Sequence, residues 1–138
     1  MKALGLDEIK KVLEDVSIDN YILTHITSEE DAKKIFESNF KYNLGTGLNG
    51  TFSLSGRDHA LAQIENILNG NSPHRNLSGM FILKIPKEKI GEHGQAFKVS
   101  AEVIEDFLID NYESMNEGII PEEFNLGYLD KDTLFYKN

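Results

Sequence analysis

The chain is 138 residues long and carries 14 Lys and Arg against 23 Asp and Glu, with no Cys. The formal net charge of −9 argues against binding to bulk nucleic acid or to an anionic membrane, and the absence of Cys excludes disulfides and thiolate metal sites. The length predicts a single domain, 1–138, and no segment has the pattern of a signal peptide or membrane span. We therefore expect a protein of the cytoplasm, or one delivered into a host cytoplasm.

The N-terminal third of the chain predicts a helix, a strand and a second helix. Residues 1–19 predict a helix that precedes the core, with Asp7 at its N-cap and an apolar stripe at helical spacing. The stripe consists of Leu6, Ile9, Leu13 and Val16. Residues 21–26 are rich in β-forming side chains and predict a strand. Ser28 is placed to accept the free amides of a second helix over 29–39. The buried stripe of that helix is Ala32, Ile35, Phe36 and Phe40.

The remainder predicts a Gly-rich loop over 43–50, a strand over 51–55, a helix over 58–69 and a central strand over 80–85. Further strands follow at 119–121, 124–129 and 134–136. A turn over 130–132 joins the last two strands as a hairpin. Because the strands are short and cluster late in the chain, the pattern favours an α+β fold over a doubly wound parallel sheet.

Metal and dinucleotide-fold motifs are missing from the sequence. The four His make no His-x-x-x-His or Glu-x-x-His pattern, and we predict no metal site. The letters from Gly45 to Gly50 match G-x-G-x-x-G, but no strand precedes them and a strand follows, so a dinucleotide-binding fold is rejected. Most carboxylates, including Glu29 and Glu30, are interpreted as solvated helix faces.

Four short motifs nevertheless follow one another in a meaningful order. They are Thr24-His25-Ile26-Thr27-Ser28, the helix with Ala32-Lys33-Lys34-Ile35 that ends in Asn39-Phe40, the stretch from Gly45 to Ser53, and Asn116-Glu117-Gly118-Ile119-Ile120-Pro121. This order resembles the ADP-ribosyltransferase superfamily, particularly its poly(ADP-ribose)-polymerase and diphtheria-toxin-like branch. The resemblance covers roughly residues 20–130. It implies an α+β fold with two small antiparallel sheets, packed as a split sandwich around an NAD cleft, with peripheral helices.

The resemblance also implies roles for residues on the first strand. His25 would hydrogen-bond the ribose next to nicotinamide and would count as both a catalytic and a cofactor-binding residue. The backbone of Ile26 would hold the carboxamide, and Thr27 would contact the ribose on the adenosine side. Ile26 stands where the family usually has Gly.

Further roles fall on the Gly-rich stretch and on a late Glu. Phe52 would stack on nicotinamide without offering a hydroxyl, while Ser53 and Gly47 would line the pocket. Glu117 would bond the ribose 2′-OH and stabilise the oxocarbenium-like transition state as nicotinamide leaves. The site carboxylate is not fixed by the sequence. Glu117 ranks first among four candidates, which also include Glu113, Glu122 and Glu123.

The leading hypothesis is a toxin-like or effector-like enzyme of bacterial or phage type that transfers ADP-ribose from NAD to a protein, a glycosyltransferase by class. Because NAD is an anion and the chain is acidic, a basic protein target is expected. Arg57 and Arg75 are candidates to meet the NAD pyrophosphate. The alternatives are an acidic interaction or inhibitor protein, suggested by the net charge, and a degenerate domain that binds without turnover.

Overall fold

The computed structural model describes most of the chain. The described residues are 2–38, 51–55, 57–71, 78–90, 97–100, 122–131 and 133–137. The strands are β1 Lys2–Leu4, β2 Asn20–Thr27, β3 Thr51–Ser55, β4 Gly79–Pro86, β5 Phe97–Ser100, β6 Asn125–Leu129 and β7 Leu134–Tyr136. The helices are α1 Leu6–Asp19, α2 Glu29–Ser38, α3 Arg57–Leu68 and α4 Lys87–Ile90, with a 3-10 turn at Glu122–Phe124.

The described strands form one antiparallel sheet. Its seven strands lie in the order β1-β7-β6-β4-β2-β3-β5, and every neighbouring pair is antiparallel. This confirms the α+β class and rules out a parallel sheet in the described part of the chain. The expected division into two sheets is not seen among these strands, because β4, β2 and β3 hydrogen-bond continuously across the middle.

The sheet has two faces of different chemistry. Because successive strand residues point to opposite sides, Ile22, Met80 and Ile82 share one side, which α1 and α3 cover. We call this the aliphatic face. Its buried residues are Leu4, Ile9, Leu13, Ile22, Ala60, Ile64, Ile67, Met80, Ile82, Leu126, Leu129 and Leu134.

The opposite side of the sheet is covered by α2, which contacts β4 and β6. The strand register places His25, Phe81, Tyr128 and Phe135 in one row across four neighbouring strands. We call this side the aromatic face. The α2 side chains that face it are buried, as predicted from their spacing: Ala32, Ile35 and Phe36. Phe36 reaches Tyr128, with ring centroids 5.2 Å apart.

Coverage on both sides explains the burial of the central strands. Residues Met80 to Leu83 on β4 are all buried, as are Ile22 to His25 on β2. A strand that is covered on both faces shows a continuous apolar run rather than a polar-apolar alternation. The prediction of a central strand over 80–85 is confirmed, because β4 is the fourth of the seven strands.

The N-terminus differs from its prediction. Residues 2–4 form strand β1, which pairs with β7, so the sheet begins before α1. Ile9 and Leu13 of α1 are fully buried in the core, whereas Leu6 is 38% exposed. The N-cap is Gly5, and Asp7 lies in the first helical turn. The expectation that 1–19 is a helix preceding the core is therefore corrected: this segment is a strand and a helix that both belong to the core.

The last two strands form the predicted hairpin. β6 and β7 are antiparallel, with Leu129 opposite Leu134. The turn is closed by the amide of Asp130, which donates to the Thr133 carbonyl at 3.1 Å, and by the Thr133 amide, which donates to the Asp130 carboxylate at 3.1 Å. An Asp that accepts an amide ahead of it is a common element of turns, and the sequence predicted the turn without this hydrogen bond.

Candidate functional site

His25 lies near the end of β2, on the aromatic face. It is 8% exposed and sits opposite Phe81 of β4. Ile26 and Thr27, which follow it, are half-buried, and Thr27 ends the strand opposite Gly79. The β-forming run over 21–26 explains this placement, because it carries His25 along the strand to the point where α2 begins. A His that is mostly covered by protein interacts with its neighbours more strongly than one in water.

The strand that carries Phe52 and Ser53 is the direct neighbour of β2. The backbone of Ser53 pairs with Thr24, one residue before His25, and Phe52 pairs with Val99 of β5 on the other side. Two predicted site segments that are far apart in the sequence are thus adjacent in the sheet. The sequence predicted both strands but not their pairing.

The remaining predicted site residues divide into three groups, one of which is Arg57, the first residue of α3. Gly47, Glu113, Glu117 and Arg75 lie outside the described residues. Glu122 and Glu123 are described and exposed, at the 3-10 turn before β6. The carboxylate of Glu122 is paired with the Lys137 ammonium, and the hydrogen bond and charge of Lys137 lower the pKa of Glu122. This ion pair gives Glu122 a local partner at the end of the chain.

The start of α2 makes hydrogen bonds to two distant parts of the chain that the sequence did not indicate. Ser28 caps the helix as predicted, since its hydroxyl accepts the amide of Asp31 at 3.1 Å. Glu29 was expected on a solvated face, but it is half-buried. Its Oε1 accepts a hydrogen bond from the Ser78 hydroxyl at 3.1 Å and another from the Lys131 amide at 3.1 Å.

A second polar contact supports β2 from the aliphatic face. Thr24 is buried, and its hydroxyl donates to the side-chain carbonyl of Gln63 on α3. A buried hydroxyl that lacked such a partner would be costly, so this contact fixes where α3 lies on β2. Thr24 pairs with Ser53 and directly precedes His25, so α3 contacts β2 next to the predicted site.

The aromatic face also buries polar groups away from His25. Tyr128 is 4% exposed and stacks on Phe135, with ring centroids 4.7 Å apart. Burial raises the pKa of Tyr128 above its ordinary value, and the negative charges of Glu37 and Asp130 act in the same direction. Asn125 is buried on β6 as well. Among the side chains whose burial the structure describes, the aromatic face thus buries more polar groups than the aliphatic face.

An open cavity of about 490 Å³ lies at the other end of β2. It is lined by Ile18, Asp19, Asn20, Pro86, Lys87 and Glu88. None of the predicted site residues is among them. In the described ranges, no group of three or more His, Asp or Glu is arranged to hold a metal ion.

Comparison with known proteins adds no relative to this picture: neither family models, nor curated proteins, nor solved structures match the chain. Within the residues that the structure describes, no helix combines the length and apolar character that crossing a bilayer requires. The arrangement around His25 and the motifs in the sequence are therefore the basis on which function can be inferred.

Proposed function

We propose that the chain is a small NAD-dependent ADP-ribosyltransferase that modifies a protein, with NAD bound at the end of β2 on the aromatic face. The observation that carries the proposal is the pairing of β2 with β3, which sets His25 beside the strand that bears Phe52 and Ser53. The motif order in the sequence supplies the rest of the support. In this proposal, the NAD cleft opens at the end of β2, beside β3.

The proposed reaction requires contributions from three residues of the chain. His25 hydrogen-bonds the ribose next to nicotinamide, and the backbone of Ile26 holds the carboxamide, so that the reacting bond is oriented. When the bond between ribose and nicotinamide breaks, its electron pair leaves with nicotinamide and positive charge develops on the ribose. The Glu117 carboxylate stabilises that charge, and a nucleophilic side chain of the target protein forms the new bond to the ribose.

The competing hypothesis of an acidic nucleic-acid mimic has less support. Such a mimic needs its carboxylates gathered on one surface. The exposed acids of α1 include Asp7, Glu8 and Asp15, and those of α2 include Glu30 and Glu37. Because α1 and α2 cover opposite faces of the sheet, these charges are spread over two sides of the described fold.

Nicotinamide release from NAD tests the proposal, with wild type compared with Glu117→Ala and with Glu113→Ala, the variant of a second candidate carboxylate. We expect wild type to release nicotinamide and Glu117→Ala to be slower by roughly 10²-fold, because one stabilising group is lost. NAD affinity, measured by calorimetry, should change far less. Glu113→Ala should behave like wild type.

Each other outcome has a defined meaning. A wild-type protein that neither binds nor consumes NAD contradicts the proposal. Binding without consumption supports the degenerate alternative, in keeping with Ile26 in place of Gly and Phe52 without a hydroxyl. Loss of turnover in Glu113→Ala but not in Glu117→Ala moves the catalytic role to Glu113.

A further inference from the structure

The end of β2 lies beside the starts of α2 and β4. Directly after Thr27 the chain enters α2, whose first residue is Glu29. Thr27 is paired with Gly79, the first residue of β4. A side chain at Gly79 would place its Cβ 2.6 Å from the Ser28 carbonyl oxygen and 2.7 Å from the Glu29 amide nitrogen. The start of α2 therefore lies directly on the backbone of β4.

The Glu29 carboxylate adds two hydrogen bonds to this contact between α2 and β4. One oxygen accepts both the Ser78 hydroxyl, just before β4, and the Lys131 amide, in the turn after β6. Hydrogen bonds to an ionised acceptor are stronger than neutral ones, and a carboxylate at a helix N-terminus is favoured by the helix dipole. The side chain of Glu29, two residues beyond Thr27, thus connects the start of α2 to the residue before β4 and to the β6–β7 turn.

We infer that Glu29 is a positioning residue for the NAD site and acts through the backbone of Ile26 and Thr27. This inference rests on the proposed function, in which the Ile26 backbone holds the carboxamide and Thr27 contacts the adenosine-side ribose. Groups that hold a substrate must be kept within a fraction of an ångström, and residues that do not touch the substrate can supply this precision. In this inference the Glu29 side chain contacts Ser78 and Lys131 rather than the ligand.

The variants Glu29→Ala, Glu29→Gln and Glu30→Ala separate positioning from charge. Gln keeps an oxygen that can accept both hydrogen bonds, whereas Ala removes them. Glu30 is the matched control, because it is an exposed acid in the same helical turn and pairs with Lys34 at 3.1 Å. In calorimetric titration, we expect Glu29→Ala to bind NAD roughly tenfold more weakly. Glu29→Gln should fall between Glu29→Ala and wild type, because its acceptor oxygen is neutral, and Glu30→Ala should stay close to wild type. In turnover, KM should rise with kcat nearly unchanged.

The inference is overturned if folded Glu29→Ala binds NAD like wild type, or if Glu29→Gln or Glu30→Ala is as weak as Glu29→Ala. Should Glu29→Ala fail to fold, Ser78→Ala removes one of the two hydrogen bonds and should weaken binding by roughly threefold. Unchanged affinity in Ser78→Ala then overturns the inference. If the wild-type protein itself does not bind NAD, the proposed function fails first; if wild type binds and Glu29→Ala binds equally, only the role of Glu29 fails.

Discussion

The two faces of the sheet share their strands but differ in how they are covered and in what they bury. On the aliphatic face, α1 and α3 pack over Ile, Leu, Met and Ala side chains, and the hydrogen bond from Thr24 to Gln63 adds a polar contact between the sheet and α3. On the aromatic face, α2 packs over Phe81 and Tyr128, and His25 lies in the same row.

The two faces are expected to serve different properties, with stability depending on the aliphatic face and ligand binding on the aromatic face. Aliphatic side chains fill space without polar groups that need partners, and they gain free energy with the area that they remove from water. Buried aromatic and polar groups need specific partners, and in return they offer hydrogen bonds and charge at fixed positions. We therefore expect substitutions on the aliphatic face to change folding, and substitutions at the end of β2 on the aromatic face to change binding.

The largest expected effect tests the aliphatic face. Ile64 of α3 is fully buried, so Ile64→Ala should lower the free energy of unfolding by about 2–5 kcal/mol through lost burial and a residual cavity. NAD affinity of the folded fraction should not change. Urea unfolding and calorimetry measure the two quantities. Asn66→Ala, at an exposed position of the same helix, is the control, and an equal loss there would contradict the account.

The next effect tests the close packing of the start of α2 on β4. Gly79→Ala would push a Cβ against the Ser28 carbonyl and Glu29 backbone, and a shift of either segment should cost about 1–3 kcal/mol of stability. Unlike Ile64→Ala, this variant should also weaken NAD binding, because the same segments hold the end of β2. Gly5→Ala is the comparison, since a Cβ at Gly5 meets nothing within 4 Å. A Gly79→Ala protein as stable as wild type would show that the approach is not tight.

A smaller effect appears only at alkaline pH. The pKa of Tyr128 is raised in the folded state above its ordinary value of 10.0, chiefly by burial. Above this ordinary value the unfolded chain loses the Tyr128 proton while the folded chain retains it, so stability falls as pH rises toward the folded pKa. Tyr128→Phe should remove this part of the loss. Urea unfolding at neutral and alkaline pH tests it, and an identical pH dependence in both proteins would contradict the burial argument.

The smallest effect lies outside both faces, at the Glu122 and Lys137 ion pair. Lys137→Met should return the lowered pKa of Glu122 toward its ordinary value of 4.5, because the hydrogen bond and the positive charge are both lost. In wild type this pair stabilises the fold at pH values above the ordinary pKa of Glu122. That stabilisation is lost as the pH falls through the lowered pKa of the folded state. Both side chains are partly or largely exposed, so the melting temperature should hardly change. A carboxylate NMR titration that shows an unchanged pKa would contradict the pairing.

Most of the described helices and strands could be predicted from local pattern. The β-forming run of β2, the apolar run of β4 and the helical spacing of α2 and α3 each lie within one short window, and so does the Asp130 turn. β1 could not be predicted, because Lys2–Leu4 lacks the aromatic and β-branched residues that favour strands and its partner β7 lies at the other end of the chain. The single sheet depends on the same kind of distant pairing.

The candidate site shows the same limit. The Ser28 cap is local and was predicted, whereas the two partners of Glu29 lie 49 and 102 residues away and no pattern near Glu29 indicates them. His25, Phe52 and Ser53 could be named from motif order, but their adjacency needed the β2–β3 register. The NAD-binding roles of all these residues stay predictions, and Gly47 and Glu117 lie outside the described residues.

Amide-resolved NMR titration of the wild-type protein with NAD tests the central claim most directly, because it locates the ligand without any substitution. We expect the largest shifts at His25, Ile26 and Thr27, at the end of β2, and at Ser53 on the neighbouring strand β3. Amides of α1 and α3, across the sheet, should shift little. An unchanged spectrum, or shifts confined to α1 and α3, would contradict the claim that the end of β2 binds NAD.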